Sequence, residues 1–151
     1  MMDWDLVLAI AHHLAVFTLV ALFAAEFALL RPGLGNPRLR QLARIAAAYG
    51  AVALLVVVVG VLRVFFGAVD PGYYWGNIAF WGKMAAFLVM GLLTIQPTIA
   101  IRRWLKEAKA VPDYAPPAAE VANSRRFVHL QAGVLLFIPA FAAAMARGYG
   151  G

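Results

Sequence analysis

Polar and apolar residues alternate along this chain in long blocks. Nearly uninterrupted apolar stretches cover about residues 5–30, 43–66, 78–101 and 127–146. Each is close to the ~20 residues that an α-helix needs to cross hydrocarbon. Between them lie residues that end helices. Arg31-Pro32-Gly33 closes the first stretch, because proline and glycine continue a helix poorly. Asp70-Pro71-Gly72 makes a turn after the second, and Pro112, Pro116 and Pro117 break the connection before the fourth, where Ser124 is in place to cap a new helix. Pro97 and Pro139 lie inside the third and fourth stretches and are expected to kink them, which neighbouring helices accommodate. Short connections make successive spans antiparallel. The fold class is therefore all-α: an integral membrane four-helix bundle, up-down-up-down, forming one transmembrane domain over residues 1–151.

Composition turns apolar helices into membrane helices. Hydrophobic residues make up 64% of the 151 residues and charged residues 13%, against roughly 45–50% and 25% in soluble domains. The first stretch does not read as a cleavable signal peptide. It lacks a basic start, is too long for a signal core and carries Glu26 near its end. With no cysteine, disulfides and thiolate metal or iron–sulfur sites are excluded. No phosphate-binding glycine loop, zinc motif or serine-histidine-aspartate set is present.

Charge supplies the orientation. The net charge of +6 flanks the spans, which speaks for membrane topology and anionic lipid and against nucleic acid. Arg31, Arg38, Arg40, Arg44, Arg102, Arg103, Lys106, Lys109, Arg125 and Arg126 make ten basic residues on one side, against Arg63, Lys83 and Arg147 on the other. The positive-inside rule puts the ten in the cytoplasm and both termini outside, periplasmic for a bacterial inner-membrane protein. Aromatic residues agree: Trp4, Tyr73, Tyr74, Trp75, Trp81 and Tyr149 gather at the outer boundary, Trp104 and Tyr114 at the inner one. The connection around Tyr73, Tyr74 and Trp75 is expected to lie along the interface as a short cap. Gly50, Gly60, Gly82 and Gly91 would let backbones approach, or simply face lipid.

Titratable groups inside hydrocarbon are expensive, so each is a candidate for function. They are His12, His13, Glu26, Arg63, Lys83, His129 and Arg147. Helix rise puts His12 and His13 roughly 10–12 Å below the outer end of span one, and Lys83 roughly 8 Å below that of span three. Arg63 and Arg147 lie near the outer ends of spans two and four, close enough to snorkel. Every helix thus contributes to a mostly cationic outer cluster, which repels itself unless an anionic ligand joins it. A haem fits that description, with an imidazole for iron and Arg or Lys for the propionates; a quinone or a lipid headgroup are other candidates. His12 and His13 are adjacent on one helix, so only one of them reaches a given site. His129 begins span four at the inner side, on the order of 15 Å from His13 along the normal. A monomer would therefore hold haem through one histidine, whereas a homodimer could supply two. Glu26 and His129 share an inner depth and are expected to form a structural polar pair, with Arg44 or Arg125 within reach.

Taken together, Ala11-His12-His13-Leu14-Ala15, Glu26, Arg31-Pro32, Gly60-Val61-Leu62-Arg63-Val64, Phe80-Trp81-Gly82-Lys83-Met84 and Met145-Ala146-Arg147-Gly148 resemble an uncharacterised family of small bacterial four-helix membrane proteins, a domain of unknown function. That resemblance implies a topology and no established activity. More distantly, the span-one histidine and the pair Trp81 and Lys83 are similar to features of the small four-helix protoporphyrinogen oxidase and of copper-resistance D-type membrane proteins. This second resemblance implies b-type haem, with His13 (or His12) on the iron and Lys83 in the same pocket. The leading expectation is a redox membrane protein with one b-type haem near the outer leaflet, held by His13 or His12 with Lys83, Arg63 and Arg147 neutralising its acidic groups. The alternatives are a non-enzymatic accessory subunit of a larger respiratory or photosynthetic membrane complex and a small anion or metal transporter.

Overall fold

The computed structural model describes residues 3–151. Among these residues there are six helices, of which five make four rods: α1 (Trp4–Leu29), α2 (Asn36–Phe66), α4 (Ile78–Ala110), and α5 (Ala118–Leu135) continued by α6 (Phe137–Ala146), with the short α3 (Pro71–Gly76) between the second and third rods. The four rods are long and apolar enough to span a bilayer. Neighbouring rods are antiparallel, as three long-range contacts record. Asp5 Oδ1 accepts the Ala68 N–H at 3.1 Å, joining the start of α1 to the end of α2. Arg125 Nη1 donates to the Leu30 carbonyl at 2.8 Å, joining the end of α1 to α5. Ile78 N donates to the Gly150 carbonyl at 2.6 Å, joining the start of α4 to the end of the chain. Both termini therefore lie at one end of the bundle, here the terminal end, opposite the basic end.

Two helices outrun the stretches that hydropathy marks. α4 has 33 residues, a rise of about 50 Å, against about 30 Å of hydrocarbon. The length in excess of the hydrocarbon is carried by its last turns, with Arg102, Arg103, Lys106 and Lys109, at the basic end. The fourth rod begins at Ala118, not near residue 127, because Pro117 ends the extended connection and serves as N-cap. Ser124, expected to cap that helix, lies within it, fully buried and with Oγ unpaired. Pro139 has the larger backbone effect of the two intramembrane prolines. Its ring collides with the carbonyl four residues back, and the rod breaks at Leu136 into α5 and α6, whereas α4 continues through Pro97.

The interior follows a seven-residue repeat. His12, Leu19 and Glu26 share one seam of α1; Leu42, Tyr49, Val56 and Arg63 share one of α2; Lys83, Met90, Pro97 and Trp104 share one of α4. That spacing is the repeat of knobs-into-holes packing between nearly parallel or antiparallel helices. Two of the four candidate glycines are packed: Gly60 lies under His12 and Gly82 under Phe141, while Gly50 and Gly91 have open space where a side chain would be.

The ends are fastened differently. At the terminal end, buried Asn77 caps α4 by accepting from the Ala79 and Phe80 N–H groups at 2.9 and 3.2 Å, and its Nδ2 donates to the Tyr149 carbonyl at 3.3 Å. Asp70 caps α3, Tyr73 Oη donates to the Met145 carbonyl, and exposed Trp75 and Trp81 form the rim. At the basic end, Gly33 turns the chain at φ +82°, a conformation that suits glycine, between buried Leu30 and Leu34. Trp104, expected among the interfacial aromatics, is instead fully buried there. Its Nε1–H donates to Glu120 Oε2 at 2.7 Å, and Arg103 forms an ion pair with the same carboxylate. Tyr114, in the connection before α5, has its hydroxyl pushed up to about 12 by burial and by a hydrogen bond to Glu107.

Candidate ligand site at the terminal end

Three of the predicted site residues come together. His12 is half-buried on the inward face of α1, with its Cε1 only 3.4 Å from where a side chain on Gly60 would begin. Arg63, one turn beyond Gly60 on α2, and Lys83, on α4, are also half-buried and within charge–charge range of His12. Arg63 and Lys83 are in turn close enough to repel each other. Their polar atoms are poorly matched: His12 Nδ1 and Arg63 Nε are buried without a hydrogen-bond partner. Lys83 Nζ lies 5.4 Å from the centroid of the Phe80 ring, a cation–π contact that leaves its ammonium without an anion. Among the described residues, the one salt bridge is Arg103–Glu120, at the other end of the bundle. The site thus carries donors and positive charge with no carboxylate in ion-pair contact; Asp5, one repeat before His12 on α1, is engaged instead by the Ala68 N–H.

Other predicted residues are not brought in. His13 faces outward, its Nδ1–H donating to the Ala9 carbonyl at 2.7 Å, so of the two adjacent histidines it is His12 that faces the interior. Arg147 is exposed just past α6. Glu26 and His129 do not pair: Glu26 is buried on the α1 seam, whereas His129 is exposed, bonded through Nδ1 to the Arg125 carbonyl and stacked on Phe27 at 4.8 Å. The expectation fails because similar depth does not fix azimuth.

Glu26 has other neighbours, which sequence reading passed over. Its carboxyl lies near Tyr49, whose hydroxyl lies at Thr94. Thr94 Oγ1 sits 2.8 Å from the Met90 carbonyl and 3.2 Å from Gln131 Oε1. Tyr49 and Gln131 are 4% and 2% exposed, which makes this a buried polar layer drawn from all four rods. Such residues inside hydrocarbon hold helices together through hydrogen bonds of about 0.6–2 kcal/mol each. Gln131 and Thr94 carried a usable signal, being isolated polar residues in apolar runs.

Helix packing decides access to the His12 cluster. α1 packs on α2, α2 on α4, and α4 on α6, but α1 approaches neither α4 nor α6. In the terminal half the rods therefore form an open row, and only near the basic end does α5 meet α1 to close the ring.

No curated protein and no solved structure matches the chain. A single family model matches residues 4–150, nearly the whole length, under the description "predicted membrane protein (DUF2214)", and the chain belongs to that family of membrane proteins of unknown function.

Proposed function

We propose that this protein binds one anionic amphiphilic cofactor within the membrane, a b-type haem, for a redox role. The observation that carries the reading is the convergence of His12, Arg63 and Lys83 from three helices, with His12 Nδ1 and Arg63 Nε unpaired and no ion pair to any of the three. The donor set fits the group. The His12 imidazole would bind the iron, and the Arg63 guanidinium and Lys83 ammonium would hold the propionates. Gly60 leaves the imidazole room that a larger residue would fill. A haem held there would supply one-electron chemistry, while His12, Arg63 and Lys83 would orient it and offset its negative charge.

The excess of ten basic residues over three supports a cytoplasmic basic end and periplasmic termini in a bacterial inner membrane. Because the chain has no cysteine, Gly35→Cys and Gly151→Cys can each be labelled in intact cells with an impermeant maleimide. Labelling of residue 151 alone is the expected result. For the cofactor, the test is an absorption spectrum of the detergent-purified protein, oxidised and dithionite-reduced, with a pyridine haemochrome assay. About one haem per chain is expected, and a colourless protein after haem is supplied would remove the reading.

A further inference from the structure

A second cationic site lies at the basic end, remote from the His12 cluster and independent of any role for it. Where α1 ends and α5 begins, Arg31, Pro32, Ala122, Arg125, Arg126, His129 and Leu130 line an open groove of about 980 Å³. Three arginines and a histidine supply its polar atoms; no carboxylate lines it. Two of those groups are held in place by the fold. Arg125 Nη1 is fixed on the Leu30 carbonyl, and the His129 ring is fixed by its Nδ1 contact to the Arg125 carbonyl and by stacking on Phe27. This leaves His129 Nε2 and the rest of the Arg125 guanidinium for a ligand. Arg31 and Arg126 are exposed and form no side-chain hydrogen bond or ion pair. Arginine presents a planar fork of donors that matches phosphate oxygens.

The groove's position selects the ligand. It sits where the first rod leaves the hydrocarbon, and Ala122 and Leu130 give it an apolar wall running into the membrane. Beyond it, α1 and α6 do not approach each other, so the groove leads toward an open furrow between rods. A molecule with a phosphate head and an acyl tail matches both ends of that path. We propose that this groove binds the phosphate group of an anionic phospholipid.

The test uses the full chain in nanodiscs of phosphatidylcholine with a minor fraction of phosphatidylglycerol, with retained lipids counted by native mass spectrometry. Three proteins are compared: wild type, the double variant Arg31→Gln/Arg126→Gln, and the control Arg38→Gln/Arg40→Gln, which removes the same charge outside the groove. Wild type and control are expected to retain one phosphatidylglycerol per chain. The groove variant should lose roughly 10- to 30-fold in affinity, as two basic contacts near an anionic surface predict. Equal loss in both variants would mean general surface attraction and overturn the site. Retention of phosphatidylcholine as readily as phosphatidylglycerol would overturn it as well. A parallel arm adds inorganic phosphate to phosphatidylcholine nanodiscs and follows thermal stability. Stabilisation by phosphate that depends on Arg31 and Arg126, without phosphatidylglycerol retention, would overturn the lipid and assign the groove to a soluble anion.

Discussion

The His12 ring rests on Gly60, its Cε1 3.4 Å from the point where a Cβ on residue 60 would stand. That distance is ordinary van der Waals contact for one methyl group and leaves no space for more. Gly60→Ala should therefore keep the cluster, and Gly60→Leu should push the imidazole out of it. Haem content per chain, measured by pyridine haemochrome, is expected to stay near wild type in the first and fall at least tenfold in the second.

The two adjacent histidines should behave oppositely. His12→Ala removes the imidazole that faces Arg63 and Lys83, whereas His13→Ala removes a ring bonded to its own helix. Haem is expected to be lost from the first and retained by the second. Retention in both would sink the ligand assignment.

Gly82 and Phe141 pack closely where α4 meets α6. A Cβ at residue 82 would lie 2.8 Å from Phe141 Cε1, and a ring edge cannot swing aside as a flexible chain end can. Gly82→Ala is expected to cost about 1–3 kcal/mol by overpacking. Pairing it with Phe141→Leu should recover much of that loss, because the two changes share one contact. Thermal unfolding of the four members of the cycle in detergent would measure it.

At the basic end, the part-buried Trp104–Glu120 bond matters more than the exposed ion pair. Trp104→Phe leaves the ring in place but removes the donor to Glu120, and is expected to lower the thermal unfolding midpoint. Arg103→Gln removes an ion pair whose side chains are 53% and 41% exposed, and water screening makes its expected effect on the midpoint smaller. Equal destabilisation by the two would contradict this ranking.

The membrane bundle was legible in the sequence because hydropathy measures what a bilayer solvates. Which way each side chain faces was harder to read, since lipid and bundle interior are both apolar and the helices show little contrast between faces. The polar residues themselves carry the missing information. Glu26 must turn inward to avoid lipid, and His12 stands fourteen residues before it, two repeats along the same seam. Tyr49 and Arg63 are separated by the same interval on α2. The Glu26–His129 expectation failed because it used depth and not this register. Trp104 was misread for a different reason. The polar run Glu120, Asn123, Ser124, Arg125 and Arg126 looks like loop to a hydropathy scan, yet it is helix, and it brings Glu120 back against α4.

α1 packs closely on α2 but on neither α4 nor α6, so a ligand of the His12 cluster would reach it between those rods, from the acyl chains. A ligand arriving by that route is already dissolved in the bilayer, so its partition coefficient enters the affinity before any protein contact does. Its effective concentration is a mole fraction in lipid, which falls when lipid is added at constant water volume. Titrations of this site should therefore be scaled by the lipid-to-protein ratio. Two preparations with identical aqueous ligand will give different occupancies wherever their membranes differ in amount.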